Sequence, residues 1–229
     1  MKIEEIVKGL SRGRIIDLSK KVIPGRAEGP LDTGKRKYEI KAFNFPPGEI
    51  MHNIEMESHI STHLEAPSHF VPVRHGKKGK DVTELSLRIF FGLAILVDCQ
   101  NLKPKTAIGK KILGSYQIER NLIVLFGKCP HAGKDRCYLA KEGAEFLVEK
   151  KIKMVGFDDT VFPENPKYAG KNLNKYFTHD LMLSHNIPII EGLVNLDKLK
   201  QKRFLFFGFP AKMGGLEAFP IRAVAIEGA

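Results

Sequence analysis

Short apolar runs alternate along the chain with segments rich in lysine, glycine and proline. Six runs are compact and almost wholly apolar, which is typical of strands that are buried on both faces. They span residues 93–98, 121–126, 153–157, 187–190, 204–209 and 221–227. Residues 14–19, 38–45 and 52–60 alternate in part and are bounded by Gly or Pro, so the pattern predicts three further strands there.

Two segments between the predicted strands have helical spacing. In residues 138–151, apolar side chains recur at positions 139, 144, 147 and 148, and Lys150 and Lys151 lie at the end where a helix favours positive charge. Residues 175–185 form a second, less regular candidate. Strands outnumber helices, and connections led by helices imply some parallel pairing, so the pattern predicts a mixed α/β domain.

Length and composition limit the class of protein. The chain has 229 residues, 43% of them hydrophobic, which is enough for one buried core, and we predict a single domain over residues 1–229. No window approaches the ~18 apolar residues that cross a bilayer, and the first residues lack the pattern of a leader, so we expect a cytoplasmic protein without a membrane partner. The three cysteines, Cys99, Cys129 and Cys137, lack CxxC spacing, which fits a reducing compartment and argues against both a disulfide framework and a thiolate zinc site.

The formal charge of +11 would also suit a protein that binds nucleic acid. However, the lysines form separate clusters, and none is interleaved with the aromatic residues of a single-strand or RNA-binding surface. We therefore expect a solvated basic surface and no nucleic-acid partner. A positive surface still attracts small anionic substrates.

The sequence SHISTHLEAPSHF, residues 58–70, contains three of the eight histidines and a glutamate. On a straight strand His59 and His63 would lie ~13 Å apart, too far to share one ion with ~2.0 Å bonds. Either the chain bends near residues 60–61, or two ions lie side by side. Pro67 ends the run, so we expect His69 to approach from another direction and to serve another purpose. A metal or catalytic role is favoured over three unrelated surface histidines, but it requires further ligands from elsewhere.

The same segment resembles the HxGTHxDxPxH motif of the metal-dependent cyclase and arylformamidase (kynurenine formamidase-like) hydrolase family. Here it reads HISTHLEAPSH. Four further landmarks of that family follow its order along nearly the whole chain: IIDLS, VGFDD, HDLMLSHNIPIIEGLVNLDKL and FLFFGFPAKMGGLEAFPIRAVAI.

The resemblance implies a fold of the swivelling β/β/α (cyclase-like) type with a central, partly barrel-like sheet. It also implies one or two divalent ions, Zn²⁺ or Mn²⁺, and a proton-transfer role for His69. The implied metal ligands are His59, His63, Glu65, His179 and Glu191. The expected reaction is hydrolysis of a small amide, lactam or ester in an anionic or aromatic substrate. The expected assembly is a homodimer or homotetramer.

Two residues depart from the family motif. Ser61 replaces the usual glycine, which makes a positive φ at the bend less favourable, and Glu65 replaces aspartate, which adds one methylene to the carboxylate arm. Two alternatives therefore stay open: a metal-dependent cyclase, dehydratase or lactonase, or a family member that binds metal without turnover.

Overall fold

The computed structural model describes residues 2–29, 34–46 and 48–228. The α-helices in these ranges are α1 (Ile3–Arg12), α2 (Val71–His75), α3 (Lys110–Leu113), α4 (Lys141–Glu149) and α5 (Phe177–Ser184). The strands are β1 (Arg14–Asp17), β2 (Tyr38–Phe45), β3 (Glu49–Met56), β4 (His63–Glu65), β5 (Phe91–Asp98), β6 (Ala107–Ile108), β7 (Ile123–Gly127), β8 (Cys137–Leu139), β9 (Met154–Asp158), β10 (Val161–Phe162), β11 (Ile189–Leu193), β12 (Arg203–Pro210) and β13 (Ala218–Glu227). Within the described ranges, no helix has the length and apolar character needed to cross a membrane.

The main sheet has eight strands in the order β1-β13-β12-β5-β7-β9-β11-β4. It closes on itself because β4 also pairs with the first residues of β13, while β1 pairs with the last residues of β13. Strands β5, β7, β9 and β11 run parallel, and the remaining pairs are antiparallel. The predicted mixed α/β fold with a partly barrel-like sheet is thus confirmed.

Two hydrophobic cores lie on opposite faces of this sheet. Along β7, Ile123 and Leu125 point into the core inside the barrel, while Val124 and Phe126 point into the core beneath the helices. The parallel strands β7, β9 and β11 are buried at every residue. Burial on both faces is the physical reason for their uninterrupted apolar sequences.

The structure corrects three sequence-based expectations. The strand predicted over residues 52–60 ends at Met56, and residues 137–139 form β8, so helix α4 begins only at Lys141. Burial on both faces is wrong for β12, where buried and less buried residues alternate and Phe209 is exposed. The outer face of this antiparallel strand carries aromatic side chains that stack on Phe91.

Two elements near the amino terminus pack little against the rest of the fold. Helix α1 has no buried residue, and its apolar side chains Ile3 and Val7 are exposed. Strands β2 and β3 pair only with each other among the described residues, and Phe45 and Ile50 are exposed on them. Both elements therefore present apolar surface outside the two cores.

Candidate metal centre

A sharp bend after β3 brings the first two histidines together. Ser61 adopts a left-handed conformation with φ of 57°, although it carries a Cβ. The bend is held by Ser61 Oγ, which donates to the carbonyl of Lys20 at 3.1 Å. As a result, His59 Nδ1 lies 3.1 Å from His63 Nε2, so the predicted bend at residues 60–61 is present.

Strand pairing places the next ligand candidates on one face. His63 and Glu65 alternate with Leu64, which packs into the barrel core. In the antiparallel pair of β4 and β11, Glu191 lies directly opposite His63. Gly192 follows with φ of 73°, and a Cβ there would lie 2.5 Å from the Ser61 carbonyl oxygen, so this close approach of two backbones requires glycine.

The buried Glu65 carboxylate is the centre of the cluster. Its Oε1 lies 3.1 Å from His59 Nδ1, 3.5 Å from His63 Nε2 and 3.7 Å from His69 Nε2. Its Oε2 lies 3.3 Å from Nε2 of His179, which helix α5 carries into the site.

Glu191 completes the set, since its Oε1 lies 3.9 Å from His179 Nε2. The structure therefore brings all six residues singled out in the sequence to one place. His179 and Glu191 are both buried, His179 in helix α5 and Glu191 in strand β11.

The hydrogen bonding of this cluster fits a divalent cation. His63 Nδ1 donates to the carbonyl of Ser61, so in neutral His63 the Nε2 lone pair points at Glu65 and His59. Glu65 Oε2 is buried and accepts no hydrogen bond among the described residues. Ligand atoms around a tetrahedral zinc ion with ~2.05 Å bonds lie about 3.3 Å apart, close to the separations found here. Imidazole and carboxylate groups are also the donors that such an ion takes.

The pKa values of Glu65, Glu191 and His179 are shifted because these groups are buried together and hold protons between them. Burial raises the pKa of Glu191 to about 7, and the adjacent Glu65 carboxylate acts in the same direction. Burial opposes ionisation of Glu65 too, but His69 and the adjacent imidazoles of His179, His59 and His63 hold its pKa well below the usual range. Burial lowers the pKa of His179, yet Glu164 and Glu65 outweigh it and raise that pKa well above the ordinary value. A cation that binds here replaces protons held between these groups.

A cavity of about 650 Å³ opens onto the cluster. Phe162 and Tyr176 form part of its wall, and Arg36 lies on the wall as well. Two other nearby aromatic residues lie outside this wall: Phe70 is buried and stacked on Tyr176, and Phe219 packs against the barrel core.

Sequence reasoning missed two carboxylates that contact the histidines. Glu164 accepts from the Nδ1 of His179 at 2.9 Å, and Glu217 lies 3.3 Å from His59 Nε2. Glu164 lies in the loop between β10 and α5, where no local pattern distinguishes it from a surface residue. Glu217 lies within the family landmark FLFFGFPAKMGGLEAFPIRAVAI, and this location was the one sequence feature that could have pointed to it.

Comparisons with known proteins identify the family of this chain. The family model described as putative cyclase matches residues 16–162, well over half of the chain. The kynurenine formamidase of Bacillus cereus is 28% identical over 216 residues, which cover 91% of this chain and 95% of that protein. These matches confirm the family resemblance drawn from the motifs.

Two solved structures have the same fold. Isatin hydrolase A from Labrenzia aggregata bound to benzyl benzoate has a TM-score of 0.80 at 21% identity, with 99% of both chains covered. A predicted metal-dependent hydrolase from Bacillus stearothermophilus has a TM-score of 0.70 at 22% identity, covering 94% of this chain and 98% of that one.

Proposed function

The chain belongs to the cyclase family, and on that premise we propose that it cleaves a small aryl amide, lactam or ester by metal-dependent hydrolysis. The enzyme class, a hydrolase of this family, agrees with the formamidase relatives. The observation that supports the proposal most strongly is the buried Glu65 carboxylate, which four histidine nitrogens approach within 3.7 Å.

Two groups of ligands share this carboxylate. His59, His63 and Glu65 would hold one ion, since their ligand atoms lie within 4.8 Å of one another. Glu65, His179 and Glu191 would hold a second. A bound divalent ion would lower the pKa of its water ligand toward ~7 and polarise the substrate carbonyl. Imidazole and carboxylate donors suit Zn²⁺ or Mn²⁺.

His69 is proposed as the proton-transfer residue. It lies on the short 3-10 turn Pro67–His69, and its side chain is 29% exposed toward the cavity. Burial lowers its pKa, while the Glu65 carboxylate opposes that shift, so His69 is mainly neutral at pH 7 and can accept a proton. It would take a proton from the attacking water and pass it to the departing nitrogen or oxygen.

The cavity wall supports an aromatic substrate. Phe162 and Tyr176 offer flat apolar surface beside the histidines, and the same wall carries Arg36, which pairs with Glu57 at 3.5 Å. The similar proteins are named kynurenine formamidase and isatin hydrolase A. Formyl anilides and aryl-fused lactams are therefore the first substrates to test.

We also propose a homodimer or homotetramer in a cytoplasmic location. Exposed apolar side chains on α1 and on the β2–β3 pair support the assembly, because surface of this kind is usually covered by a partner. The free thiols of the three cysteines support a reducing compartment. Cell fractionation would test the location.

The decisive experiment is metal quantification on protein purified without chelators or a histidine tag, followed by a substrate panel with the metals found. We expect stoichiometric Zn²⁺ or Mn²⁺ and turnover of a formyl anilide or a lactam. His63→Ala should lose the metal, whereas His69→Ala should keep the metal and lose turnover. Turnover of lactones alone would favour the lactonase alternative, and metal without any turnover would favour a binding protein.

A further inference from the structure

His179 is held at its outer edge by a second carboxylate. Glu164 Oε1 accepts from Nδ1 of His179 at 2.9 Å and from the backbone N–H of the same residue, also at 2.9 Å. Glu164 is only 5% exposed, so its two hydrogen bonds are shielded from water. The double contact fixes both the start of α5 and the plane of the imidazole.

His59 also faces an outer carboxylate, through the opposite ring nitrogen, and there the contact is an ion pair. Its Nε2 lies 3.3 Å from Glu217 Oε1, and Nδ1 faces Glu65 and His63. Glu217 is itself oriented by Ser58, whose hydroxyl donates to the same Oε1 at 2.5 Å. For His63 the outer partner is a backbone carbonyl instead.

We infer that Glu164 and Glu217 are positioning residues that fix which nitrogen of His179 and His59 faces the ion. An imidazole can ligate a metal only through an unprotonated nitrogen, so its other nitrogen must carry the proton and needs an acceptor. The two carboxylates supply that acceptor and add negative charge, which makes each imidazole a stronger donor. The inference rests on the proposed function, because it assumes that these histidines are ligands.

The arrangement makes a spectroscopic prediction. In zinc-loaded protein, His179 and His63 should carry the proton on Nδ1, whereas His59 should carry it on Nε2. Long-range proton–nitrogen NMR of the histidine rings distinguishes these tautomers. A zinc-loaded protein in which His59 carries the proton on Nδ1, or His179 on Nε2, would overturn the inference.

Zinc affinity, measured by competition with a chromogenic chelator, tests whether the two carboxylates strengthen metal binding. Glu164→Ala and Glu217→Ala should each bind zinc roughly 10- to 100-fold more weakly, the range seen when such outer partners are removed. Glu164→Gln keeps an accepting oxygen but loses the charge, so its loss should be smaller than that of Glu164→Ala. Glu57→Gln is the matched control, because Glu57 lines the same cavity and pairs with Arg36 at 3.5 Å.

The outcomes separate this inference from the proposed function. If the wild-type protein binds no divalent ion, both fail. If the wild type binds zinc and the Glu164 and Glu217 variants match Glu57→Gln within twofold, this inference alone fails. Circular dichroism checks that each variant is folded. If Glu164→Ala does not fold, Glu164→Gln decides: zinc binding weaker than that of Glu57→Gln supports the inference, and equal binding overturns it.

Discussion

Glu191 and His63 lie directly opposite each other in the antiparallel pair of β11 and β4. Side chains of opposed residues lie on the same face of a sheet, so this register places a carboxylate beside an imidazole. A slip of one residue would turn one of the two side chains into the barrel core. The register of one three-residue strand therefore decides whether the candidate centre exists.

Added zinc should stabilise the wild-type protein against urea. An ion that binds only the folded chain stabilises it by about 2.7 kcal/mol at a hundredfold excess over its dissociation constant. We expect His63→Ala to lose this stabilisation, since His63 is wholly buried in the cluster. His75→Ala is the control, because His75 is exposed and pairs with Asp180 outside the cavity. Equal zinc stabilisation of His63→Ala and wild type would contradict the ligand assignment.

Gly192→Ala should destabilise the fold strongly. Residue 192 has φ of 73°, and the new Cβ would meet the Ser61 carbonyl oxygen at 2.5 Å. The left-handed backbone alone costs an alanine about 1–2 kcal/mol, and the clash adds to it. Gly133→Ala is the matched control, since Gly133 also has a positive φ but no atom within 4 Å of the added Cβ. Urea unfolding should show a clearly larger loss for Gly192→Ala, and equal losses would mean that the backbone contact with Ser61 relaxes freely.

In chelator-treated protein, Glu191 should make stability depend on pH. Burial and the Glu65 carboxylate raise the pKa of Glu191 to about 7, from an ordinary value of 4.5. Between these two values the folded chain keeps a proton that the unfolded chain has released, so the free energy of unfolding falls as pH rises and levels off above pH 7. Glu191→Gln removes this dependence.

The measurement compares wild type and Glu191→Gln by urea unfolding at pH 5 and pH 7.5, both with chelator present. The free energy of unfolding of Glu191→Gln minus that of wild type should be larger at pH 7.5 than at pH 5. A constant difference between the two proteins would show that Glu191 ionises normally in the folded chain.

Charges on the apolar face of α1 should disrupt the proposed assembly. Ile3 and Val7 are four residues apart and therefore share one face of the helix, where both are exposed. The double variant Ile3→Glu/Val7→Glu should give a lower molar mass by light scattering while its circular dichroism stays unchanged. Lys8→Glu, an exposed charge change on the same helix, should keep the wild-type mass. A wild-type mass for the double variant would exclude α1 from the interface.

Much of the fold could be predicted because a buried strand has an apolar sequence that can be recognised locally. The apolar sequence of β7 follows from two cores that contact alternate side chains of one strand. The prediction was wrong for β12, where Phe207 and Phe209 are as apolar as buried residues but point outward. Apolar character alone does not distinguish a second core from an outer surface covered by stacked aromatic rings.

The sequence by itself determined the positions of most strands, the bend candidate at residues 60–61 and the histidine motif, because each depends on residues close together in the chain. Only the tertiary structure decided that β4 pairs with both β11 and β13. The same holds for the contacts of Glu164 with His179 and of Glu217 with His59. The physical reason is that closure of a sheet and the outer contacts of a side chain depend on long-range packing, which leaves no periodic signal along the sequence.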